Sequence, residues 1–399
     1  ILRAAAPGGT RFAGFLAGRL QSSDGVVLPV VRGVVRGVVR GVVRGVESGV
    51  ELPMSDGLER YSRQMLVAGF GEEGQRRLLA SRVLICGCGA LGSVLADSLA
   101  RAGVGFLRIV DRDFVELSNL QRQVLFDEDD VANRVPKAIA AAEKLARINS
   151  GIELDPIVAD IDHTNILKYF EGIDLVVDGT DNFEVRFLVN DAALETSTPW
   201  VYGGCVGSHG QTMAIFPGES ACLRCLIEDV PPPGSAETCD TAGVLGAAIN
   251  VVASLQSVAA LKILIGRGEE VERVLSVVDV WDGTFRQLGM GDLRERAGCP
   301  ACVDGERPWL RGERGTETTV LCGRNAVQVA PPPGLSLSLE ELAGRLEGTG
   351  EVTSNPYLLR LVLAEPQMDL TVFADGRAII KGTQDLGVAR SLYARYIGN

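Results

Sequence analysis

The sequence predicts a doubly wound α/β fold: a mostly parallel sheet with helices on both faces, an added antiparallel part, and a small α+β module at the end. Three observations predict it. Short apolar runs alternate with helical stretches from Ser81 onward. A glycine-rich turn joins the first run to the first helix. Asp111 closes the second run, at about the 20-residue spacing where such sheets place an acid.

Taken in order, residues 82–86 (RVLIC) form an apolar strand, and the glycine turn leads into a helix that runs to about residue 101. Residues 106–111 give a second strand. Residues 135–149 carry an apolar face at helical spacing, and 153–159 and 174–178 are further strands. A helix at 182–195 and a strand at 200–205 complete the alternation. Residues 211–216 and 273–281 read as strands of the antiparallel addition. The apolar helix between them, 243–266, is interrupted by Asn250, Ser254, Gln256, Ser257 and Lys262, which favours a buried core helix over a membrane span.

The polar stretch 304–318 reads as a linker, and 319–399 as a module of its own, a scale a separate domain allows. Its expected strands are 319–322, 357–363, 370–373 and 378–381, with helices at 339–346 and 386–396. Ser338, three residues before Glu341, fits a capping box for the first of these helices. No catalytic constellation is visible in the module.

Residues 1–53 differ from the rest. Val-Val-Arg-Gly occurs four times in tandem between Val30 and Gly45, a period too short to bury a core. Seven arginines against three acids there leave about −16 for the remainder of a chain whose net charge is −12. Met54 opens a stretch that reads as an ordinary protein start. A mis-assigned start is therefore expected, with a disordered arm or a transit peptide as alternatives. The domain that follows is expected to span 54–303.

The acidic balance argues against nucleic acid and anionic membranes as partners, since both require a basic field. Only two histidines, His163 and His209, are present, so Ser-His or Cys-His chemistry has little to build on. Nine cysteines, four of them in two C-x-x-C pairs, point to metal and reduced thiols, hence to a cytoplasmic location.

Gly87-Cys88-Gly89-Ala90-Leu91-Gly92 fits G-x-G-x-x-G between a strand and a helix, the Rossmann-like context in which a phosphate meets the helix N-terminus. Asp111, with Asp113 close behind, can accept hydrogen bonds from a ribose. By itself the turn admits an NAD-dependent oxidoreductase or a ligand-free turn. Arg122 in S-N-L-Q-R-Q (which also holds the polar Asn119), Lys137 and the upstream Arg63 add the fixed cations that a triphosphate and departing pyrophosphate require. Asp181 and Asn182, in G-T-D-N after the 174–178 strand, are placed to hold Mg²⁺ on phosphates or to cap the next helix.

Cys222, Cys225, Cys299 and Cys302 have the spacing of a closed, structural Zn²⁺ site. Cys239 stands in a Pro/Gly/Ser-rich stretch before a helix, where a thiolate is favoured, so it is a candidate for a covalent link or an inert loop thiol. Cys86, Cys88 and Cys205 read as core residues, and Cys322 has no assigned place.

R-Y-S-R-Q, GCGALG, the Asp111 strand end, S-N-L-Q-R-Q, Lys137, G-T-D-N, the paired C-x-x-C and C-D-T-A-G-V-L-G occur in the order of the ThiF/MoeB family, bacterial relatives of the ubiquitin-activating enzymes. The resemblance covers residues 58–303. It implies ATP- and Mg²⁺-dependent adenylation of the Gly-Gly tail of a small ubiquitin-like sulfur-carrier protein of the thiamine or molybdenum-cofactor type. It implies that Arg63 is lent to a neighbouring protomer in a homodimer and that Arg122 and Lys137 contact phosphates. Asn119 would help hold the nucleotide, Asp111 its ribose and Asp181 the Mg²⁺, and Cys239 would join the carrier. The final module is not the rhodanese domain of some relatives, so sulfur would come from a separate donor. Activation of a tRNA base and a non-catalytic scaffold for ubiquitin-like proteins are the remaining alternatives.

Overall fold

A computed structural model describes residues 57–398, apart from 134, 231–241, 316, 322–324, 332–335 and 356–357. The expectations for residues 1–53, for Cys239 and its loop and for Cys322 lie outside the described residues.

The first sheet has eight strands: β1 (Arg82–Cys86), β2 (Phe106–Val110), β3 (Glu153–Ile157), β4 (Leu175–Asp178), β5 (Trp200–Val206), β6 (His209–Ile215), β7 (Val274–Asp279) and β8 (Thr284–Gly289). Their spatial order is β3-β2-β1-β4-β5-β6-β7-β8. Pairing is parallel from β3 to β5 and antiparallel from β5 to β8. The two-residue turn at Gly207 and Ser208, with φ of +60° at Gly207, joins β5 to β6.

The helices that matter for the site are α1 (Gly71–Ala80), α2 (Ala90–Ala102), α3 (Lys137–Ile148), α4 (Phe183–Thr196) and α5 (Gly246–Leu264). They cover both faces of the sheet, because each central strand is apolar on both sides. In β1, Val83 and Ile85 enter the core beneath α2, α3 and α5, while Leu84 and Cys86 enter the opposite core with Phe187, Val189 and Ala192 of α4. Burying this five-residue strand on both faces is worth several kcal/mol, at roughly 1.5–3 kcal/mol per large aliphatic side chain.

Among the described residues, α5 is the one helix long and apolar enough to cross a bilayer. It packs instead along α2, β5 and β6, with Gln256 fully buried and donating to the carbonyls of Asp178 at 2.9 Å and Val201 at 3.3 Å. The polar residues that interrupt the apolar run are thus part of the core contact.

The second sheet consists of β9 (Glu317–Leu321), β10 (Ala326–Ala330), β11 (Glu351–Ser354), β12 (Leu358–Leu363), β13 (Met368–Phe373) and β14 (Ala378–Lys381), in the order β11-β12-β13-β14-β10-β9, antiparallel throughout. Helices α6 (Leu339–Leu346) and α7 (Leu386–Tyr396) close one core with it. Alternation places Leu359, Leu361 and Leu363 of β12 inside. Ser338 accepts from the Glu341 N–H at 3.3 Å at the start of α6, and Asp385 caps α7 through the N–H groups of Gly387 and Val388.

The polar stretch before this sheet is not a free tether. Trp309 is buried against Phe187 with ring centroids 5.4 Å apart, and its backbone N–H donates to Asp191 at 3.0 Å. One aromatic side chain and one buried carboxylate fasten it to α4, a contact its charged composition conceals.

Candidate active site

A cavity of about 520 Å³ opens at the carboxyl ends of β1, β2 and β4. Here the strand order reverses: β2 and β3 lie to one side of β1, and β4 and β5 to the other. Such a switch point leaves a crevice that ligands occupy, and the volume suits a small molecule.

The floor is the glycine turn. Gly87 has φ of +82°, and a Cβ there would lie 2.9 Å from the Gly179 carbonyl oxygen. At Gly92 a Cβ would lie 1.9 Å from the Gly87 oxygen, so this third glycine sets helix–strand contact and does not line the cavity. A Cβ on Gly89 would meet only the distant Gln123 amide, 3.9 Å away, which leaves the middle of the turn open to a ligand. Gly89 is the N-cap of α2 with no side-chain cap, and Ala90 and Leu91 line the cavity above it. The first N–H groups of a 13-residue helix therefore point their positive end at the opening.

Asp111 ties the turn to the next loop. It accepts from the Cys88 N–H at 2.6 Å and the Asp113 N–H at 2.7 Å. Burial pushes its carboxyl above the usual range, against the pull of Lys137 and these two N–H groups. Lys137 opens α3 and is buried; its Nζ donates to Asp113 at 3.1 Å. Burial alone would lower the ammonium, but Asp113, Asp111 and Asp181 raise it above the ordinary lysine value, so it stays charged. Burial alone would raise Asp113, but Lys137, Arg112 and Arg395 hold it at about 2.

Asn119 is buried and accepts from the Glu116 N–H at 3.1 Å, closing the short turn that carries Arg122 to the cavity. Arg122 donates to the Ser118 carbonyl at 2.9 Å. Asp181 and Asn182 line the opposite rim. Asn182 caps α4 through the Val185 N–H at 3.2 Å, whereas Asp181 is exposed and makes no hydrogen bond or ion pair with a described residue. An uncommitted carboxylate facing cations is chemically suited to a divalent metal. Arg63 is exposed on the short helix Ser62–Met65 and does not line this cavity.

The structure adds residues that the sequence reading missed. Arg112, between the two predicted acids, pairs with Asp160 at 2.7 Å. Asp178, the residue just before G-T-D-N, is buried; it accepts from the Thr180 N–H and hydroxyl at 2.9 and 2.7 Å and from Arg186 Nε at 3.1 Å. Arg186 also donates to the Thr180 carbonyl at 2.6 Å, so the pair fixes the loop bearing Asp181. Their positions on a strand end and one helical face were the available signal. Ser391 and Arg395 of α7 also line the cavity, and no local pattern announced them.

The four predicted metal cysteines converge elsewhere. All four Sγ atoms lie within 4.8 Å of one another. Cys222–Cys299, Cys222–Cys225 and Cys225–Cys302 separations are 3.7, 3.9 and 3.4 Å. A tetrahedron of thiolates at the usual zinc–sulfur bond length has edges of roughly 3.8 Å, so this group can hold such an ion. It would staple the short helix after β6 to the turn after residues 293–297. Cys86 and Cys88 are buried, and burial pushes both thiols well up, in keeping with core positions.

Comparison with known proteins agrees with this geometry. Residues 61–301 match the ThiF family. The chain is 44% identical over 340 residues to the sulfur carrier protein ThiS adenylyltransferase of Bacillus subtilis, covering 85% of this chain and 99% of that one. It is 40% identical over 248 residues to the SAMP-activating enzyme E1 of Haloferax volcanii, covering 62% and 90%. Among solved structures, E. coli MccB with ATP superposes with a TM-score of 0.51 at 26% identity, covering 58% of this chain and 72% of that one. The extent of the family match and the near-complete coverage of the B. subtilis enzyme show that this chain belongs to the ThiF family.

Proposed function

We propose that this chain is an adenylyltransferase that uses ATP to activate the C-terminal Gly-Gly carboxylate of a small ubiquitin-like sulfur-carrier protein. The observation that carries the reading is the ring of Lys137, Arg122, Arg112 and the uncommitted Asp181 around an open glycine turn. The 44% identity to a ThiS adenylyltransferase along 99% of its length supports the substrate class, and an MccB relative solved with ATP supports the nucleotide over a nicotinamide cofactor.

In the proposed step a carrier carboxylate oxygen attacks the α-phosphorus of ATP. The bond from that phosphorus to the α,β-bridging oxygen breaks, pyrophosphate leaves, and a mixed acyl–AMP anhydride forms. The nucleophile is already ionised, so no strong base is needed, in keeping with a chain of two histidines. Asp111 would hold the ribose, Asn119 the nucleotide, and Arg122 and Lys137 the phosphates; alignment and charge neutralisation supply the rate. Asp181, with Asn182 beside it, would hold Mg²⁺, which when bound neutralises phosphate charge. Zinc in the four-cysteine site would be structural, since four thiolates leave no position for water.

Arg63, exposed beside Leu66 and Val67, would complete the site of a second protomer in a homodimer. Cys239 would take the activated carrier in a later transfer. A Cys239→Ala variant should adenylate normally and lose a thiol-linked adduct with the carrier; loss of adenylation itself would contradict that role. Sulfur would come from a separate donor, and a cytoplasmic setting would keep the four thiolates of the metal site reduced. The defining test is pyrophosphate release with purified small proteins ending in Gly-Gly: release is expected with one of them, and ATP turnover indifferent to all would refute the carrier assignment.

A further inference from the structure

Helix α7 belongs to the second sheet's core, yet one of its faces reaches the cavity of the first domain. Leu392 and Tyr393 are buried in the module, and the Tyr393 hydroxyl donates to the Gly376 carbonyl at 2.6 Å, so the inner face of the helix is fixed from within. On the outward turns, Ser391 Oγ lies 3.4 Å from Asp113 Oδ1, and Arg395 Nη1 lies 3.5 Å from Glu116 Oε2. Residues 391 and 395 are one helical turn apart, which places both on the same stripe. Both line the cavity, and the Arg395 side chain is only 19% exposed.

The partners on the other side belong to the loop that follows β2. Asp113 is the carboxylate held by Lys137, and Glu116 donates its N–H to Asn119. Arg395 therefore extends the cationic arc of Lys137 and Arg112 across a gap of some 280 residues in sequence, between two folding cores. Its ion pair is long at 3.5 Å, and Arg395 is among the cations that hold Asp113 ionised. A guanidinium carries five N–H donors in a planar fork, so Arg395 can keep its acid partner and still present a donor to an anionic ligand in the cavity.

We propose that the C-terminal module is a structural wall of the nucleotide site, with Arg395, assisted by Ser391, acting as a further nucleotide-binding residue. The function read for the cavity underlies this assignment, but the module's share in it is separate. The arrangement also makes nucleotide binding and docking of the module favour one another, since the ligand would touch both.

The test is calorimetric binding of Mg²⁺ and α,β-methylene-ATP to the full chain. Arg395→Ala should weaken binding by about tenfold, the scale of one charge-assisted hydrogen bond, and Arg395→Lys by less. Arg390→Ala serves as a docking control: Arg390, on the same helix as Arg395, pairs with Asp160 of the loop after β3 at 3.4 Å but does not line the cavity. It should stay within about twofold of the parent, because Arg390 presents no donor to the cavity itself. Unchanged affinity in Arg395→Ala, or an equal loss in Arg390→Ala, would overturn the assignment. If Arg395→Ala fails to fold, Arg395→Lys decides by the same comparison. A parent chain that binds no analogue would refute the ATP reading of the cavity itself.

Discussion

Lys137 Nζ donates to Asp113 Oδ2 at 3.1 Å from a side chain that is 5% exposed, at the first residue of α3. The backbone repeats the link, since the Lys137 N–H donates to the Asp113 carbonyl at 2.8 Å. This double tie pins the start of α3 to the loop after β2 and holds one ammonium beside the glycine turn. The geometry predicts that Lys137→Ala lowers adenylation by about 10²–10³-fold, as loss of one preorganised charge does at such sites. ATP–pyrophosphate exchange measures it. A variant within twofold of the parent would show that the ammonium serves the fold alone.

The four-cysteine cluster predicts one tightly held zinc per chain. Cys225→Ser should leave the purified protein without stoichiometric metal by elemental analysis and lower its melting temperature by several degrees or more, because a metal that closes a staple contributes directly to folding. Retention of one zinc per chain in that variant would remove Cys225 from the ligand set.

Asp191 gives a pH signature outside the cavity. Burial raises its carboxyl to about 6, only partly offset by the N–H groups of Trp309 and Leu310 and by Arg224 and Arg307. An unfolded aspartate titrates near 3.9, so the folded state holds this proton more tightly. The resulting stability is present below about pH 4 and is lost as pH rises through about 6, on the order of 2–3 kcal/mol. Asp191→Asn keeps an acceptor for Trp309 and should flatten that part of the profile. Urea midpoints measured for both proteins between pH 4 and 7 check it: parallel curves would contradict the assignment.

The strands that carry the site were legible because each is a short apolar run with a turn signal at its end. Arg82–Cys86 and Ala378–Lys381 fall where the pattern put them, as do the helices Leu339–Leu346 and Leu386–Tyr396. β8 was missed because every one of its six residues is exposed, Phe285 and Leu288 included, so no buried alternation marks it. β10 and β11 were missed because Gly, Asn and Pro breakers crowd both ends of each run.

Within the cavity, Lys137, Asp111 and Asp181 stood out as charged residues at strand or helix ends, and the topology brings them together. Gly92 showed its steric purpose only in three dimensions, through its approach to the Gly87 carbonyl. The Asp178–Arg186 pair was hidden because a buried ion pair looks, in sequence, like any two charges eight residues apart. Arg395 was out of reach for a different reason: its neighbour Glu116 lies 279 residues away, and no local rule relates them.

The central claim is that this cavity drives transfer of AMP, and Asp181 tests it most directly. Exchange of labelled pyrophosphate into ATP, measured with a small Gly-Gly-ending carrier present, should proceed for the parent chain. It should fall by at least about a hundredfold for Asp181→Ala, the scale of a lost metal-binding carboxylate at a phosphoryl site. Near-parental exchange by the folded variant would contradict the account.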